Sequence, residues 1–545
     1  MAFCIHSRAL FIALPLFALL PGTAPAVTFA DDVAPIINRH CIECHRPGLG
    51  TPFTFMNFAE VSAKAKMIAR VTEDGTMPPW KPERGHVPLR GERGLSDAEK
   101  ATLRQWAQEG APEGDPARTP PLPTFPESGW RLGTPDLVVQ MTEPYDVPAD
   151  GPDVYRNFVI PLPALPEGKW LKGVEFRAGA PTVVHHCLLD LDHEGRARVH
   201  DAEDPGPGFE AMDQLFEDTR IAAFAVGGLP FFFPEGIAYA IPEGTDLILE
   251  THFHPSGKPE REVSSVGLYF TDQPPTRDLV NLQIPPSFGL TTAFRIPAGE
   301  ENYVLEHSYT LSHDVEVKHF FPHAHYLCKE IRCDAVLPTG EEKTLLSIKH
   351  WDFAWQEQYS TADLLVLPAG TELKMRWVYD NSANNPFNPT HPPRDVRWGQ
   401  QTTDEMASLS VAVIPVRRED TEPLKEALLK YTKQQYRDMP EEYLAGVVGP
   451  EIMRRFDKNK DGFLSIGDVK AMGSYWRMAS DLHRGHPSFE IERIIERRGA
   501  LPFLKAHFMR TAKILGTLAL IVLVLLIASI VWWWRRRRRR KFAAA

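Results

Sequence analysis

Short apolar runs separated by turn-forming residues dominate the centre of the chain, from residue 130 to residue 416. Proline, glycine, aspartate and asparagine interrupt these runs, and no stretch there keeps a long helical period. Clear examples are residues 171–177, 246–253, 315–321 and 373–378. Many short strands with regular turn signals are typical of an all-β sandwich or barrel. The pattern predicts two tandem, jelly-roll-like β-sandwich domains, at residues 130–278 and 279–416.

Helical patterns flank this β region. On its N-terminal side, Ser96 begins a capping-box sequence, which predicts a helix with Trp106 on its buried side. We expect a small all-α domain at residues 27–116. Because proline-rich chain is stiff and extended, we expect a semi-rigid linker at 117–129. On the C-terminal side the periodicity becomes helical again, which predicts a helical segment at 417–512.

The two ends of the chain carry targeting patterns. Residues 1–26 hold Arg8, an apolar stretch and small residues that fit a cleavage site, as in a secretory signal peptide; a buried first helix is the alternative. Residues 514–534 contain no charge, and about 20 such residues span a bilayer as a helix. The basic tail at 535–545 follows, and positive flanks stay in the cytoplasm. We therefore expect a transmembrane helix at 513–534 and a single-pass membrane protein with an exported, periplasmic or extracytoplasmic body.

Charge and cysteine content argue against two classes of protein, those that bind nucleic acid and those held together by disulfides. The formal net charge is −11 although the tail is strongly basic, so the body is acidic and nucleic acid is not expected as a partner. Of six cysteines, Cys4 leaves with the predicted signal and two belong to the motif described next. The other three, Cys187, Cys328 and Cys333, are an odd number, which argues against a disulfide scaffold. Whether Cys328 and Cys333 pair stays open, because a straight strand would hold their Cα atoms too far apart.

Cys41, Cys44 and His45 follow the pattern C-x-x-C-H, which is typical of c-type haem attachment. The two thiols would bind the porphyrin covalently, and His45 would be the proximal iron ligand. In a cytosolic protein the same residues could form a redox or zinc motif, but the predicted export favours haem. Residues 30–115 as a whole resemble a small cytochrome c domain, so the all-α domain is expected to be one.

A haem that carries electrons needs a sixth ligand, and methionine is a common one. Met77 precedes two prolines, which restrict the backbone and can aim the sulfur. Met56 and Met67 are the alternatives, and core packing is the other use of each methionine. The expected ligands of haem c are Cys41, Cys44, His45 and Met77.

Histidines are concentrated at three places in the predicted β region. His323 and His325 form a His-x-His pair; residues two apart on a strand share a face, so both rings can reach one metal. The same spacing recurs at 252–254. The adjacent pair at 185–186 is different, because neighbours on a regular strand point to opposite faces. If both bind one metal, the backbone at 185–187 must carry a bulge or end a strand there.

The order His-His, His-x-His-Pro, His-x-His and Asp-Glu-Met resembles the copper type II, ascorbate-dependent monooxygenases. This family includes dopamine β-monooxygenase and peptidylglycine α-hydroxylating monooxygenase, and the resemblance covers about residues 130–416. It implies that one copper is held in the first sandwich by His185, His186 and His252. It implies that a second, O₂-activating copper is held in the second sandwich by His323, His325 and Met406. His254 matches a family position that is not a ligand.

The resemblance also implies an activity, the hydroxylation of a C–H bond of a small-molecule substrate with O₂. The copper with the methionine ligand would meet O₂, because a soft thioether stabilises Cu(I). The three-histidine copper would pass on the second electron across a solvent-filled cleft. Ascorbate or another one-electron donor would supply the electrons. A periplasmic or membrane donor could reach the coppers through the fused haem, a hypothesis that rests on the fusion alone.

The chain also departs from the family. Cys187 stands where the animal enzymes have methionine, Phe321 replaces an arginine of the amidating branch, and Ser410 replaces its tyrosine. Peptide amidation is therefore not expected, and the substrate stays open. Two alternatives remain. One is a non-catalytic exported haem–copper electron-transfer or copper-binding protein, and the other is a β-sandwich interaction protein that has lost its metals.

A further metal site is predicted in the C-terminal helical segment. Residues 457–468 match the loop of an EF-hand, with Gly462 at the sharp turn. The last ligand position is an aspartate, shorter than the usual glutamate, so Ca²⁺ or Mg²⁺ would fit. A solvated acidic turn is the alternative. The expected ligands are Asp457, Asn459, Asp461, Phe463, Ser465 and Asp468.

Overall fold

The computed structural model describes most of the chain. The described residues are 26–47, 51, 53–126, 129–210, 219–225, 228–457, 459, 461–465, 467–473, 498–510 and, with gaps, 512–526. Apart from residue 26, the predicted signal peptide at 1–26 lies outside them, and so does the predicted basic tail at 535–545.

Within the described residues the chain forms short α-helices and many β-strands. The helices with both ends defined are α1 (Ala34–His40), α2 (Phe58–Ser62), α3 (Ala65–Glu73), α4 (Asp97–Gln108), α5 (Arg196–Glu203), α6 (Thr421–Asp438) and α7 (Glu441–Phe456). The strands are β1 (Leu137–Gln140), β2 (Tyr145–Val147), β3 (Val154–Pro161), β4 (Trp170–Arg177), β5 (Val184–Asp192), β6 (Arg220–Ala225), β7 (Asp246–Phe253), β8 (Glu260–Glu262), β9 (Ser265–Thr271), β10 (Val280–Ile284), β11 (Arg295–Ile296), β12 (Tyr303–Thr310), β13 (Val315–Ala324), β14 (Cys328–Val336), β15 (Glu342–Ile348), β16 (Tyr359–Leu367), β17 (Glu372–Tyr379), β18 (Val396–Arg397) and β19 (Ala407–Pro415).

The chain divides into two compact units. The first comprises Met1–Trp80 and Arg93–Thr124, and it contains α1 to α4. Ser96 and its capping-box partner begin α4 as expected from the sequence, so this prediction is confirmed. Trp106 on α4 is fully buried, also as predicted, and lies in the apolar cluster that forms the core of the unit.

The first half of the second unit contains two antiparallel sheets that pack face to face. One has the strand order β3-β7-β5-β6, and the other has the order β1-β9-β4. A single cluster of buried side chains draws on both sheets, including Leu171 on β4, Val266 on β9 and Leu249 on β7. Removal of this apolar surface from water favours the packed arrangement, in which β5 and β7 are neighbours.

The second half of the same unit has two four-stranded antiparallel sheets, β10-β19-β13-β16 and β12-β17-β14-β15. Along β12 exposed positions alternate with buried or half-buried ones, as expected for a strand with one face on the core. β13 lies between β16 and β19, and His323 on β13 pairs with Ser408 on β19. This pairing brings Met406, which directly precedes β19, close to the His-x-His of β13.

The fold class predicted from the sequence is wrong. The described chain is mostly antiparallel β-sheet with a few helices, and both β halves belong to one compact unit. The expected all-α cytochrome c domain is not supported. The helical pattern of residues 27–116 produces short helices, of which α1 has seven residues and α2 has five.

No helix within the described residues is long and apolar enough to cross a bilayer. This finding contradicts the predicted transmembrane helix and, with it, the predicted single-pass membrane localisation. Most of residues 513–534, on which the prediction was based, lie outside the described part of the chain. An apolar run is compatible with a spanning helix, but it does not by itself form one.

Candidate metal centre

The adjacent histidines on β5 are separated by a break in the strand ladder. Val184 pairs with Phe253 on β7, and the next pair is His186 with His252, so His185 is an extra residue. Such a β-bulge re-aims one side chain. The expectation that the backbone at 185–187 leaves a regular ladder is confirmed.

The bulge allows three rings from β5 and β7 to meet. The ring centroids of His185 and His186 are 5.2 Å apart, and each lies within 5.0 Å of the His252 centroid. One ligand nitrogen from each residue lies within 4.8 Å of the others. The structure therefore brings together the three residues expected to hold the first copper, and we call them the first triad.

The nitrogens of the first triad that could bind a metal are identified by what the others contact. The Nδ1 atoms of His185 and His186 lie 3.0 Å apart, and Nε2 of His185 lies 3.1 Å from the Phe353 carbonyl oxygen. Within the described residues, neither ring nitrogen of buried His252 has a hydrogen-bond partner. A buried nitrogen without a partner is unfavourable. This set of donors therefore fits a metal ion.

The residues expected to hold the second copper also converge, and we call them the second triad. Nε2 of His323 lies 3.3 Å from the sulfur of Met406, and the His323 and His325 ring centroids are 5.4 Å apart. Nδ1 of His323 contacts Oε1 of Gln356 at 2.6 Å, and Nδ1 of His325 contacts the Asp404 carbonyl oxygen at 3.2 Å. Partners on Nδ1 leave both Nε2 atoms for a metal, as in known metal sites where the second ring nitrogen is hydrogen-bonded.

The two triads are in direct contact. The ring centroids of His186 and His323 are 5.8 Å apart, in an edge-to-face arrangement. His252, His323 and His325 are buried, whereas His185 and His186 keep partial exposure. The two triads therefore adjoin through the rings of His186 and His323, and the solvent-filled cleft implied by the resemblance stays a prediction.

All these imidazoles are held in the neutral form. Burial, followed by the charge of neighbouring histidines, lowers the pKa of His185 to about 3. Burial also lowers the pKa of His325 to about 4, and it lowers the pKa values of His186 and His323. Neutral imidazole is the form that binds a metal, so the site is ready for one at neutral pH.

Sequence analysis missed several residues that support the triads. The buried carboxylate of Glu405 accepts hydrogen bonds from the backbone N–H groups of His325, Leu327 at 3.0 Å and Met406 at 2.8 Å. Glu405 thus ties the His-x-His segment to the methionine ligand. Its place in the Asp-Glu-Met sequence was the available clue. Gln356 had no clue, since its contact with the second triad depends on the fold alone.

Asp153 is a third missed residue. Its Oδ2 lies 3.7 Å from Nε2 of His252, and its Oδ1 contacts Nδ1 of His254 at 2.7 Å. Burial alone would raise the pKa of Asp153, but the neighbouring His252 and His254 hold it well below its usual range. His254 therefore contacts this carboxylate and is not a member of the first triad, in line with its exclusion as a ligand.

Aromatic rings cover the first triad. Tyr155 stacks on His252 with centroids 4.2 Å apart, and Phe353 stacks on His185 at 4.3 Å. On the second triad, Phe288 meets His323 edge to face at 5.2 Å. These rings limit access of water to the metal-binding atoms.

The predicted haem ligands lie in the first unit. Nδ1 of His45 contacts the Phe53 carbonyl oxygen at 3.1 Å, and burial lowers the pKa of His45. This arrangement leaves Nε2 for a metal. Cys41 and Cys44 are free thiols, and Met77 is 38% exposed. These features are compatible with haem c, which stays a prediction.

The predicted Ca²⁺ loop has the expected turn. Gly462 has a φ of 79°, a conformation that favours glycine. The carboxylate of Asp457 accepts hydrogen bonds from the backbone N–H groups of Asp461 at 3.2 Å and Gly462 at 2.8 Å. The carboxylate of Asp468 accepts one from Ser465 N–H at 2.7 Å. Inward carboxylates suit Ca²⁺ or Mg²⁺, but backbone hydrogen bonds already engage them, so the cation site also stays a prediction. Of the other expected ligands, Asn459 and Phe463 lie in the same loop and are exposed.

Comparisons with known proteins do not identify a family for this chain, so its function is inferred from its own residues. No family model and no curated protein matches the chain. Among solved structures, similarity is found to the major capsid protein P2 of bacteriophage PM2, with 9% identity over 52% of this chain and 97% of that chain and a TM-score of 0.22. It is also found to the VP2 subviral particle of infectious bursal disease virus, with 9% identity, 53% and 73% coverage and a TM-score of 0.16. A Paenibacillus xanthan lyase gives 11% identity, 56% and 28% coverage and a TM-score of 0.15. These TM-scores are too low to carry an argument, and none of these matches supports a cytochrome c domain.

Proposed function

We propose that the chain is a copper-dependent monooxygenase that hydroxylates a C–H bond of a small-molecule substrate with O₂. One observation carries the proposal. Two triads, one with three imidazoles and one with two imidazoles and a thioether, each bring their possible metal-binding atoms close together. Histidines that served only as surface or core residues would not be expected to cluster in this way.

The donor set selects the metal. Imidazole suits copper and zinc, whereas a thioether such as that of Met406 favours copper. Bound copper would supply one-electron chemistry and the activation of O₂. The chain's own residues would orient the ligands: Gln356 and the Asp404 carbonyl hold the rings of the second triad, and the Phe353 carbonyl holds His185.

The electrostatic setting supports this use. The buried histidines are neutral, so two bound cations would meet lone pairs and no competing protons at neutral pH. Asp153 lies beside the first triad and would partly balance a positive charge there. At the second triad, Phe288 lies against His323 and Phe353 against His325, which would protect reactive oxygen chemistry from bulk water.

Copper content and oxygen incorporation test the proposal. The full chain should bind two Cu ions, and with ascorbate and a metabolite mixture under ¹⁸O₂ it should yield a product that gains one labelled oxygen atom. Met406→Leu should abolish labelling, because it removes the thioether while keeping the volume. Met375→Leu is the matched control, since Met375 is equally buried but lies on β17 away from both triads.

Two results would contradict the proposal. One is a chain that binds no copper. The other is a Met406→Leu variant that still incorporates oxygen as the wild type does. If two copper ions bind and are reduced by ascorbate but no product forms, the result favours the alternative of a copper-binding or electron-transfer protein.

A further inference from the structure

A cavity of about 710 Å³ lies in the second unit, and none of the six candidate copper ligands lines it. Its wall combines three consecutive phenylalanines, one buried histidine and two arginines. The lining residues include Phe231, Phe232, Phe233, His319, Ser360 and Arg90. A volume of this size suits a drug-sized organic molecule.

His319 offers a buried nitrogen to the cavity. His319 is 7% exposed, and its Nδ1 lies 2.8 Å from the hydroxyl oxygen of Ser360. Within the described residues, Nε2 has no hydrogen-bond partner. If the serine hydroxyl donates to Nδ1, the neutral ring carries its hydrogen on Nε2, and that hydrogen needs an acceptor. A buried polar atom of this kind is unfavourable unless a ligand or water meets it.

Arg90 provides the charge. Its Nε donates to the Thr361 carbonyl oxygen at 3.1 Å, and within the described residues its guanidinium has no carboxylate partner. The other two cations of the wall, Arg277 and Lys318, are both paired with Glu316, at 2.6 and 2.8 Å. Glu235 and Asp363 also line the cavity, but both are exposed, at its rim.

The position of Arg90 is built by the fold. The segment Lys81–Glu92 belongs to the second unit, although the residues on both sides of it belong to the first. Leu89 forms a β-bridge with Thr361, and the backbone N–H of Arg90 donates to the Ser360 carbonyl oxygen at 2.8 Å. The same serine thus contacts His319 through its side chain and holds Arg90 through its backbone.

The phenylalanines of the cavity wall are also positioned by a β-bridge and a ring contact. Phe232 forms a β-bridge with Gly173, and the ring of Phe231 lies 4.7 Å from that of His319. Phe232 is 43% exposed, so part of its side chain is open to a ligand in the cavity. The wall therefore presents aromatic surface next to the polar end formed by Arg90 and His319.

We propose that this cavity binds a small organic carboxylate with an aromatic or other apolar body. The carboxylate contacts the Arg90 guanidinium and Nε2–H of His319, and the body packs on Phe231, Phe232 and Phe233. His319 and His323 are four residues apart on β13, about 13 Å along a strand. The site is therefore separate from the metal centre, and its occupation does not depend on the proposed monooxygenase activity.

Isothermal titration calorimetry of the full chain without added copper tests this site. The probe is 2-naphthoate, which should bind once per chain. Two comparison molecules each keep one half of 2-naphthoate. The first, 2-naphthalenemethanol, has the aromatic rings without the negative charge, and acetate has the carboxylate without the aromatic rings. Each should bind at least about tenfold more weakly, because a hydrogen-bonded charge or a buried apolar body is lost.

Matched variants assign the binding to the cavity. Arg90→Gln and His319→Phe should each weaken 2-naphthoate binding about tenfold or more, whereas Arg90→Lys, which keeps the positive charge, should lose less affinity than Arg90→Gln. Arg261→Gln is the control, since Arg261 is 68% exposed and does not line the cavity. Thermal melting establishes that each variant is folded. If a variant is not, the comparison of the three molecules on the wild type decides.

Three outcomes would overturn the proposal. They are no binding of 2-naphthoate at millimolar concentration, equal binding of 2-naphthoate and 2-naphthalenemethanol, and wild-type affinity in both folded variants Arg90→Gln and His319→Phe. Failure to bind copper would leave these measurements unaffected, so the two proposals can fail separately.

Discussion

Three of the candidate histidine ligands are each oriented by a hydrogen-bond partner on the far side of the ring. Gln356 holds His323, the Asp404 carbonyl holds His325, and the Phe353 carbonyl holds His185. Such contacts fix the ring and raise its basicity toward a metal. At the scale of residues, the metal-facing atoms are therefore set by side chains and carbonyls far away in sequence.

Glu405 is the residue whose loss should disturb this centre most. Glu405→Leu keeps a similar volume but leaves three buried N–H groups without an acceptor, so we expect a loss of about 3 kcal/mol or more in the free energy of unfolding. Burial raises the pKa of Glu405 to about 8, so Glu405→Gln, which keeps an acceptor, should be tolerated better.

Urea denaturation measures both variants. The control is Glu306→Leu on β12, because Glu306 is 72% exposed and meets Arg376 only at 3.7 Å. Equal destabilisation by the substitutions at 405 and 306 would mean that the three hydrogen bonds do not matter.

His319 should make stability depend on pH. Burial, with the charges of Arg90 and Lys318, lowers its pKa to about 4, whereas an unfolded histidine titrates near 6.5. Between these values the unfolded chain binds the extra proton, so the free energy of unfolding rises with pH. His319→Phe removes this titration and should lower the slope by up to about 1.4 kcal/mol per pH unit.

Urea denaturation at several pH values between about 4 and 6.5 gives this slope. His350→Ala serves as control, because His350 is exposed. A His319→Phe slope equal to that of the wild type would show that His319 titrates normally in the folded chain.

At the scale of elements, one extra residue in β5 decides how the first triad forms. His186 lies opposite His252 in the ladder, so their side chains share a face, and the bulge turns His185 to the same side. Cys187 faces the other way, into the apolar cluster between the sheets. The bulge thus lets one strand supply two neighbouring ligands and still contribute to the core.

The two faces of β5 should differ in their effect on copper binding: substitutions on the face of the first triad should lower copper affinity, and substitutions on the core face should not. We expect His186→Ala to lower the affinity of the first site at least about tenfold, because a ligand is lost. Cys187→Ala should reduce stability, since it leaves a gap in the core, without changing copper affinity. Competition with a Cu(I) chelator measures both. A Cys187→Ala chain that loses copper as His186→Ala does would contradict the assignment of faces.

At the scale of the whole second unit, packing of the two β halves brings their histidines into contact. The first triad belongs to the first half and the second triad to the second half, and His186 touches His323 across the boundary. Neither half alone has both donor sets. The chemistry open to the protein therefore depends on how the halves pack.

Two bound Cu(II) ions should interact magnetically because the triads adjoin. We expect the electron paramagnetic resonance signal of the chain with two copper ions to integrate to fewer than two spins. The double variant His323→Ala/His325→Ala should hold one copper and give one full spin. Two full, unperturbed signals in the wild type would show that the metal sites stand apart.

The sequence by itself predicted the β-rich centre and the capping box of α4, and the resemblance to the copper monooxygenases implied the membership of each triad. Strand alternation and the His-x-His spacing depend only on local geometry, which is why they can be read without a fold. The expected break in the regular ladder at 185–187 followed from the same local rule. The fold class failed where local patterns were extended to whole domains, at the cytochrome c domain and the membrane helix.

Only the tertiary structure decided the rest. The contact between His186 and His323, the support from Asp153 and Gln356, and the cavity at His319 and Arg90 join residues that are distant in sequence. Such contacts arise when sheets pack to bury apolar surface, a process that no single segment specifies. The sequence determined which side chains could bind a metal, and packing determined that the two donor sets meet.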